Sequence, residues 1–208
     1  MNDSKQPLCV AAELLKKGGV VIYPTETLYA LGANGLDHGA VHKVAEIKGR
    51  SPGKPLPLII SGLEQLQLVT SWDNEVFQRL AELFWPGPLS ILVPAAAGLS
   101  PLVADRDGWT SVRQSSNDVA QALARTAEVP LVATSANLSG HSPVERLDMI
   151  DPRLAEKADF VFHSRPYPRG GLPSTVVRIV GTNHVRLVRQ GAVSADDLTA
   201  RGFEISED

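Results

Sequence analysis

Residues 8–24 read LCVAAELLKKGGVVIYP, and they set the first structural unit of the chain. Leu8 to Lys17 has the spacing of an amphipathic helix, with Val10 and Leu14 on the apolar face and Leu15 beside them. Gly18-Gly19 supplies a helix stop, and Val20-Val21-Ile22-Tyr23 is a short apolar run of buried-strand type closed by Pro24. Cys9 falls inside the helix and reads as a small buried hydrophobe.

The same alternation continues outward. Asp37 is placed to cap a helix from about Gly39 to Lys48, with Val41, Val44 and Ile47 inward, and GRSPGKP follows as a loop. Leu56–Ile60 reads as a strand. Asn74–Phe84 reads as a helix with Val76, Leu80, Leu83 and Phe84 on its apolar face, and Leu89–Val93 as another strand. Trp85-Pro86-Gly87-Pro88 forces a turn between the last two. Further on come a helix over Asp118–Thr126, a buried strand over Leu131–Thr134 and a polar loop over Ser135–Ser142. Phe160–Phe162, Thr175–Val180 and Val185–Arg189 are late strands, the last two joined at Gly181-Thr182-Asn183, and Ser194 opens a helix. Helices and strands alternate early and strands dominate late, which predicts an α/β (α+β) fold with a twisted, mixed sheet flanked by helices. No repeat, low-complexity tract or linker divides the chain, so one domain over residues 1–208, with its core at about 8–198, is expected.

Composition narrows the function classes. Of 208 residues 43% are hydrophobic and 21% charged, enough to bury a core and too apolar for a disordered chain. With 20 Lys and Arg against 23 Asp and Glu, the net charge of -3 argues against electrostatic nucleic-acid binding by the whole surface and leaves a local basic patch open. The single cysteine excludes an intrachain disulfide and a cysteine-based zinc site. The N-terminus lacks a secretory pattern, and no apolar run approaches the about 18 residues of a membrane span, so a cytoplasmic protein is expected.

The common phosphate-loop, dinucleotide, zinc-protease and serine-hydrolase signatures are absent. His38 and His42 share a helical spacing suited to a metal, but no third ligand is marked, and a solvated helix start explains them as well. Four loops carry more. Pro24-Thr25-Glu26-Thr27 puts two hydroxyls and a carboxylate at a strand end, able to hold a small polar ligand or to cap the turn. Lys48-Gly49-Arg50 with Lys54 suits a polyphosphate, or is a solvated basic loop. Ala133 to Gly140, ATSANLSG, concentrates small donors and acceptors after a strand, where a ligand can approach the backbone. Ser174-Thr175 and the late Arg189-Gln190-Gly191 add a hydroxyl and a cation.

Together these segments resemble the YrdC/Sua5 family of threonylcarbamoyl-AMP synthases. The matching pieces are YPTETLYALG (23–32), KGR (48–50), FWPGPLS (84–90), the arginine of SVR (111–113), ATSANLSG (133–140), PSTVVR (173–178) and VRQG (188–191), in the family's order. The K-x-R and S-x-N signature falls on Lys48, Arg50, Ser135 and Asn137, and the length is similar to the short, single-domain form, with no room for the C-terminal domain of the long form. The resemblance implies a YrdC-like fold and a reaction joining L-threonine, bicarbonate or CO2 and ATP into threonylcarbamoyl-AMP with release of pyrophosphate. Further proteins would pass the threonylcarbamoyl group to tRNA as N6-threonylcarbamoyladenosine (t6A). It assigns Lys48 and Arg50 as catalytic and Lys48, Arg50, Lys54, Ser135, Asn137 and Arg189 to ATP. Thr25, Thr27, Arg113 and Ser174 go to threonine, and Mg2+ is implied with ATP, its protein ligands unspecified.

Three positions depart from the family pattern. Arg113 is followed by Gln114-Ser115-Ser116 where R-V-P or similar is usual, a change expected in the wall of the amino-acid pocket. The stretch before P-S-T is the basic His163-Ser164-Arg165-Pro166-Tyr167-Pro168-Arg169, and Ile59 stands near a histidine of many long-form members. Two alternatives follow: a paralogue acting on another amino acid or acyl acceptor, or a protein binding double-stranded RNA or tRNA through Lys48, Arg50, Lys54, Arg113, Arg165, Arg169 and Arg189.

Overall fold

Eleven strands and seven α-helices are built by residues 5–50 and 53–206, which the computed structural model describes. Residues 1–4, 51–52 and 207–208 lie outside that description, among them two positions of the GRSPGKP loop. In chain order the elements are α1 (Lys5–Lys16), β1 (Val21–Pro24), β2 (Tyr29–Gly32), α2 (His38–Lys48), β3 (Leu58–Ile60), α3 (Leu63–Leu66), α4 (Glu75–Phe84), β4 (Leu89–Pro94) and β5 (Trp109–Gln114). There follow α5 (Asp118–Ala127), β6 (Leu131–Val132), β7 (Thr134–Ser135), a 3-10 turn at Leu147–Met149, α6 (Pro152–Ala155), β8 (Phe160–Val161), β9 (Thr175–Gly181), β10 (His184–Arg189), α7 (Ala195–Ala200) and β11 (Glu204–Ser206).

The expected mixed α/β character holds, with the strands divided between two sheets. One has the order β7-β2-β1-β8 and the other β11-β10-β9-β4-β5-β3-β6, and each combines parallel and antiparallel neighbours. The larger core lies between the sheets and takes Ile22, Leu31, Val44, Leu58, Leu80, Ile91 and Val177, all fully buried. A second core under α1 and α5 takes Leu15, Val21, Tyr23, Ile59 and Leu123.

The predicted strand over Leu131–Thr134 is the joint between the sheets. Leu131–Val132 pairs with β3 in the large sheet, and Thr134–Ser135 pairs with β2 in the small one. At the changeover Val132 N–H donates to Ala33 O at 2.9 Å and Ala133 N–H to Pro57 O at 2.9 Å. The chain changes sheets there because its two ends meet partners in different directions, and the residues after it emerge at the seam. Gly32 is required at this crossing, since a Cβ there would lie 2.3 Å from Val132 O and 2.5 Å from the Tyr23 ring.

Caps set several helix ends as their residue types predict. Asp37 accepts from Ala40 N–H at the start of α2, Asn74 from Phe77 N–H at the start of α4, and Ser194 with Asp197 forms a capping box on α7. Some faces are turned from the expected direction. Val10 is 46% exposed while Ala11, Ala12 and Leu15 are buried, because α1 packs against α5 through small residues that admit close approach. Cys9 is accordingly exposed. In α4, Phe77 and Ala81 are buried with Leu80, and Leu83 is exposed. Strand β2, strand β5 and the short elements α3, α6 and β11 had no local sequence pattern strong enough to announce them.

Candidate active site

Helix α2 ends where its sequence requires. Gly49 takes the left-handed conformation (φ 59°, ψ 44°), a Cβ-free position that reverses the chain after Lys48. Lys48 therefore stays on the last helical turn while Arg50 leaves on the new course. The Lys48 ammonium donates to Ser135 O at 2.6 Å and Asn137 O at 2.9 Å, with Ser135 Oγ and Asn137 Oδ1 at 3.4 and 3.3 Å. Arg50 spends its guanidinium on Lys54 O and Pro55 O, both at 2.6 Å, and on Thr134 Oγ1 at 3.1 Å. The two cations thus tie the basic loop to the sheet joint.

Asn137 completes the tie. Its Nδ2 donates to Leu138 O at 2.9 Å and His141 O at 2.6 Å, and its Oδ1 accepts from the Ser135 hydroxyl. On the opposite wall, Thr25 Oγ1 donates to Leu28 O at 2.7 Å and accepts from Leu28 N–H at 3.2 Å, holding a tight turn. Thr27 Oγ1 lies 3.2 Å from Thr25 Oγ1. Of the two readings of these hydroxyls, Thr25 fits the turn-forming one.

Arg113 on β5 forms a buried ion pair with Glu26, whose second oxygen accepts from Ser115 Oγ–H. Burial pushes the Glu26 carboxyl up, but the Arg113 charge and the hydrogen bonds from Ser115 and Arg113 outweigh it and hold the carboxyl below its ordinary value. Arg189 donates from Nη2 to Ser174 O at 2.7 Å and to Ser174 Oγ at 3.0 Å, and Ser174 Oγ is 3.1 Å from Ser90 Oγ. Gly191 permits this contact: a Cβ there would meet Pro173 O at 2.3 Å and the Ser174 carbonyl carbon at 2.5 Å.

All ten residues named from sequence line one cavity of about 590 Å³ at the seam of the two sheets: Thr25, Thr27, Lys48, Arg50, Lys54, Arg113, Ser135, Asn137, Ser174 and Arg189. Its lining holds those five cations and no carboxylate. The cations feel one another. Burial and the neighbouring Arg50 charge bring the Lys48 ammonium down to about 8. Burial, then Arg189, lowers Arg50, and burial, then Arg113, lowers Arg189. Such mutual repulsion is relieved by a polyanion.

Other sequence-named positions lie outside the cavity. Gln114 turns away, donating to Ser61 O at 3.2 Å, and Ser115 is fully buried behind Glu26, so neither forms the pocket wall expected of them. Gln114 follows Arg113 in β5 and so takes the other face, Ser115 lies past the strand end, and of this trio only Arg113 lines the cavity. Arg165 and Arg169 are not in its lining either; Arg165 stacks over Tyr167. Ile59 is buried in the second core. His38 Nε2 sits 2.8 Å from Gly98 O and His42 Nδ1 3.5 Å from Glu46, and among the described residues no three His, Cys, Asp or Glu cluster to hold a metal. The Glu26 partnership was missed, because no local pattern pairs residues 87 apart.

A family profile, Sua5/YciO/YrdC, described as telomere recombination, matches residues 13–191. The chain belongs to the Sua5/YciO/YrdC family. A threonylcarbamoyl-AMP synthase of Pyrococcus abyssi (strain GE5 / Orsay) is 37% identical over 189 residues, covering 91% of this chain and 55% of that protein. One of Xylella fastidiosa (strain M12) is 33% identical over 181 residues, covering 86% of this chain and 95% of that protein. Among solved structures, P. abyssi Sua5 complexed with L-threonine superposes with a TM-score of 0.87 at 30% identity, over 97% of this chain and 58% of that one. The chain thus spans little more than half the length of the P. abyssi protein. The matched span contains all ten of these cavity residues and ends at Gly191, the glycine that lets Arg189 approach Ser174. Among the described residues no helix is long and apolar enough to cross a membrane.

Proposed function

We propose that this member of the family makes threonylcarbamoyl-AMP from L-threonine, bicarbonate or CO2 and ATP, releasing pyrophosphate. The observation that carries the reading is the cavity itself, with five cations and no carboxylate in its lining, joined to relatives named for this activity. The threonine amine adds to CO2, losing a proton, and gives a carbamate. A carbamate oxygen then forms a bond to the α-phosphorus of ATP as the bond from that phosphorus to the bridging oxygen breaks and pyrophosphate leaves. The nucleophile is already an anion, so alignment and charge neutralisation dominate over proton abstraction. This agrees with a site of Lys, Arg, Ser, Thr and Asn.

Lys54, Arg50 and Arg189 are assigned to the phosphates. Lys48, Ser135 and Asn137 shape the nucleotide wall, with Lys48 and Arg50 carrying the catalytic charge. Thr27, Arg113 and Ser174 are assigned to threonine, Arg113 facing its carboxylate, and Thr25 lines the same subsite while its hydroxyl closes the turn that carries Thr27. A cavity lining without Asp or Glu does not fit a protein-held Mg2+ site, so Mg2+ enters with ATP, held by phosphate oxygens and water. The product would serve t6A formation on tRNA in the cytoplasm through separate transfer proteins. Lys48 and Arg113 are only 5% and 6% exposed, which favours a compact polyphosphate ligand over an RNA backbone for these cations.

Mass spectrometry of the product formed from ATP, bicarbonate and each amino acid in turn tests the reading. Threonylcarbamoyl-AMP with threonine is expected. An adenylate formed only with a different amino acid, or tRNA binding without any adenylate, overturns it.

A further inference from the structure

Glu26 stands apart from the assigned residues. It lies outside the cavity lining, yet among the described residues it is the one carboxylate in an ion pair with any of the five cavity cations. Its place is tightly determined. The turn that carries it is closed by the Thr25 hydroxyl and by Thr25 N–H to Leu28 O at 3.0 Å, and its own carbonyl accepts from Arg169 N–H at 3.2 Å. Its two oxygens are divided between Arg113 Nη1 and Ser115 Oγ, and Ser115 Oγ in turn accepts from Asn117 N–H at 3.2 Å. The side chains of Arg113 and Glu26 are 7% and 8% exposed.

We propose that Glu26, locked by Ser115, is the positioning residue of the amino-acid subsite: it grips the guanidinium of Arg113 at Nη1 and so aims the remaining N–H groups at the ligand carboxylate. This rests on the proposed function. A planar guanidinium presents donors on more than one edge, so holding one edge fixes the direction of the others. The pair also cancels charge at this end of the cavity. Among the described residues Lys48, Arg50, Lys54 and Arg189 have no such carboxylate partner, so their charge is left for a polyphosphate. Ser115, where the family usually has another residue type after Arg113, supplies the hydroxyl that holds the second Glu26 oxygen, giving this departure a defined role.

The test is steady-state kinetics of pyrophosphate release with threonine and ATP varied separately, with melting temperature measured alongside. Glu26→Gln keeps the side-chain shape and removes the charge. It is expected to raise the threonine KM about tenfold or more, the scale of a misdirected charge-assisted hydrogen bond, while the ATP KM changes less than about twofold. Ser115→Ala is expected to shift the threonine KM in the same direction by about threefold, and Ser115→Thr, which restores a hydroxyl, to return it toward the starting value. Should Glu26→Gln fail to fold, the Ser115 pair decides. An unchanged threonine KM, a rise shared equally by both substrates, or a fall in threonine KM overturns the proposal, the last because Glu26 would then be competing with the ligand. If the unsubstituted protein makes no adenylate from threonine, it is the proposed function that fails; if it does and the variants match it, only the role of Glu26 fails.

Discussion

The Lys48 ammonium reaches the main-chain oxygen of Asn137 at 2.9 Å and that of Ser135 at 2.6 Å, so the lysine of K-x-R holds both ends of S-x-N. The two halves of the signature, 89 residues apart at their widest, are one hydrogen-bonded unit. Lys48 is then both a source of positive charge and a strut for the loop that lines the cavity, with different consequences for its replacement than a cation without such bonds would have.

Lys48→Ala should lose stability as well as activity. The buried Asn137 carbonyl loses its Lys48 donor and the half-buried Ser135 carbonyl keeps Asn137 N–H but loses the ammonium, at a cost of about 1 to 3 kcal/mol. The expected result is a lower melting temperature together with loss of pyrophosphate release. A variant with unchanged melting temperature would show that the loop holds its shape without the lysine.

The charge on Lys48 gives a pH signature. Its folded value of about 8 lies below its ordinary one because burial and Arg50 disfavour the charged form. Between those values the unfolded chain binds more protons than the folded one, so this group makes stability rise with pH over that window, while the cavity loses a positive charge. The ATP KM should therefore increase as pH rises through about 8, with no matching loss of fold. Initial-rate profiles and melting curves over the same pH range check both signs.

Ser135 and Asn137 should separate. Asn137 secures the loop through Leu138 O and His141 O, so Asn137→Ala should lower the melting temperature and turnover together. The Ser135 hydroxyl donates to Asn137 Oδ1 and lies 3.4 Å from the Lys48 ammonium, while the main-chain oxygen that Lys48 grips survives substitution, so Ser135→Ala should reduce turnover by about tenfold or more with little change in melting. Comparable losses of stability in both would place the serine in the loop's framework instead.

Gln114→Val should leave the preference for threonine over serine unaltered. The amide bonds Ser61 O and lines a different groove beside Trp72 and Trp85, away from the cavity. A change in the ratio of kcat/KM for the two amino acids would contradict this placement.

Much of the site was legible because its chemistry is local. Glycine after Lys48, proline at the end of β1 with threonine after it, and small polar residues after an apolar strand each constrain a few adjacent residues, and their type declares what they can bind. The capped helices α2, α4 and α7 were readable for the same reason, since a cap bonds backbone groups two or three residues away. Strands β2 and β5 were not, because each is defined by partners distant in sequence, and their short buried patterns resemble many others.

What residue type could not determine was direction. Val10 and Ala11 are neighbours on one helix, and only the packing of α1 on α5 decided that the alanine faces inward. Ser115 and Arg113 lie two residues apart, and the turn holding Glu26 decided that one anchors the carboxylate while the other reaches the cavity. The short motifs specified which charges and hydrogen-bonding groups the chain has to offer, since these capacities belong to residues individually. Tertiary structure decided which of those groups meet, because ion pairs and buried hydrogen bonds form only where the two sheets, joined at Ala133, bring distant residues to one place.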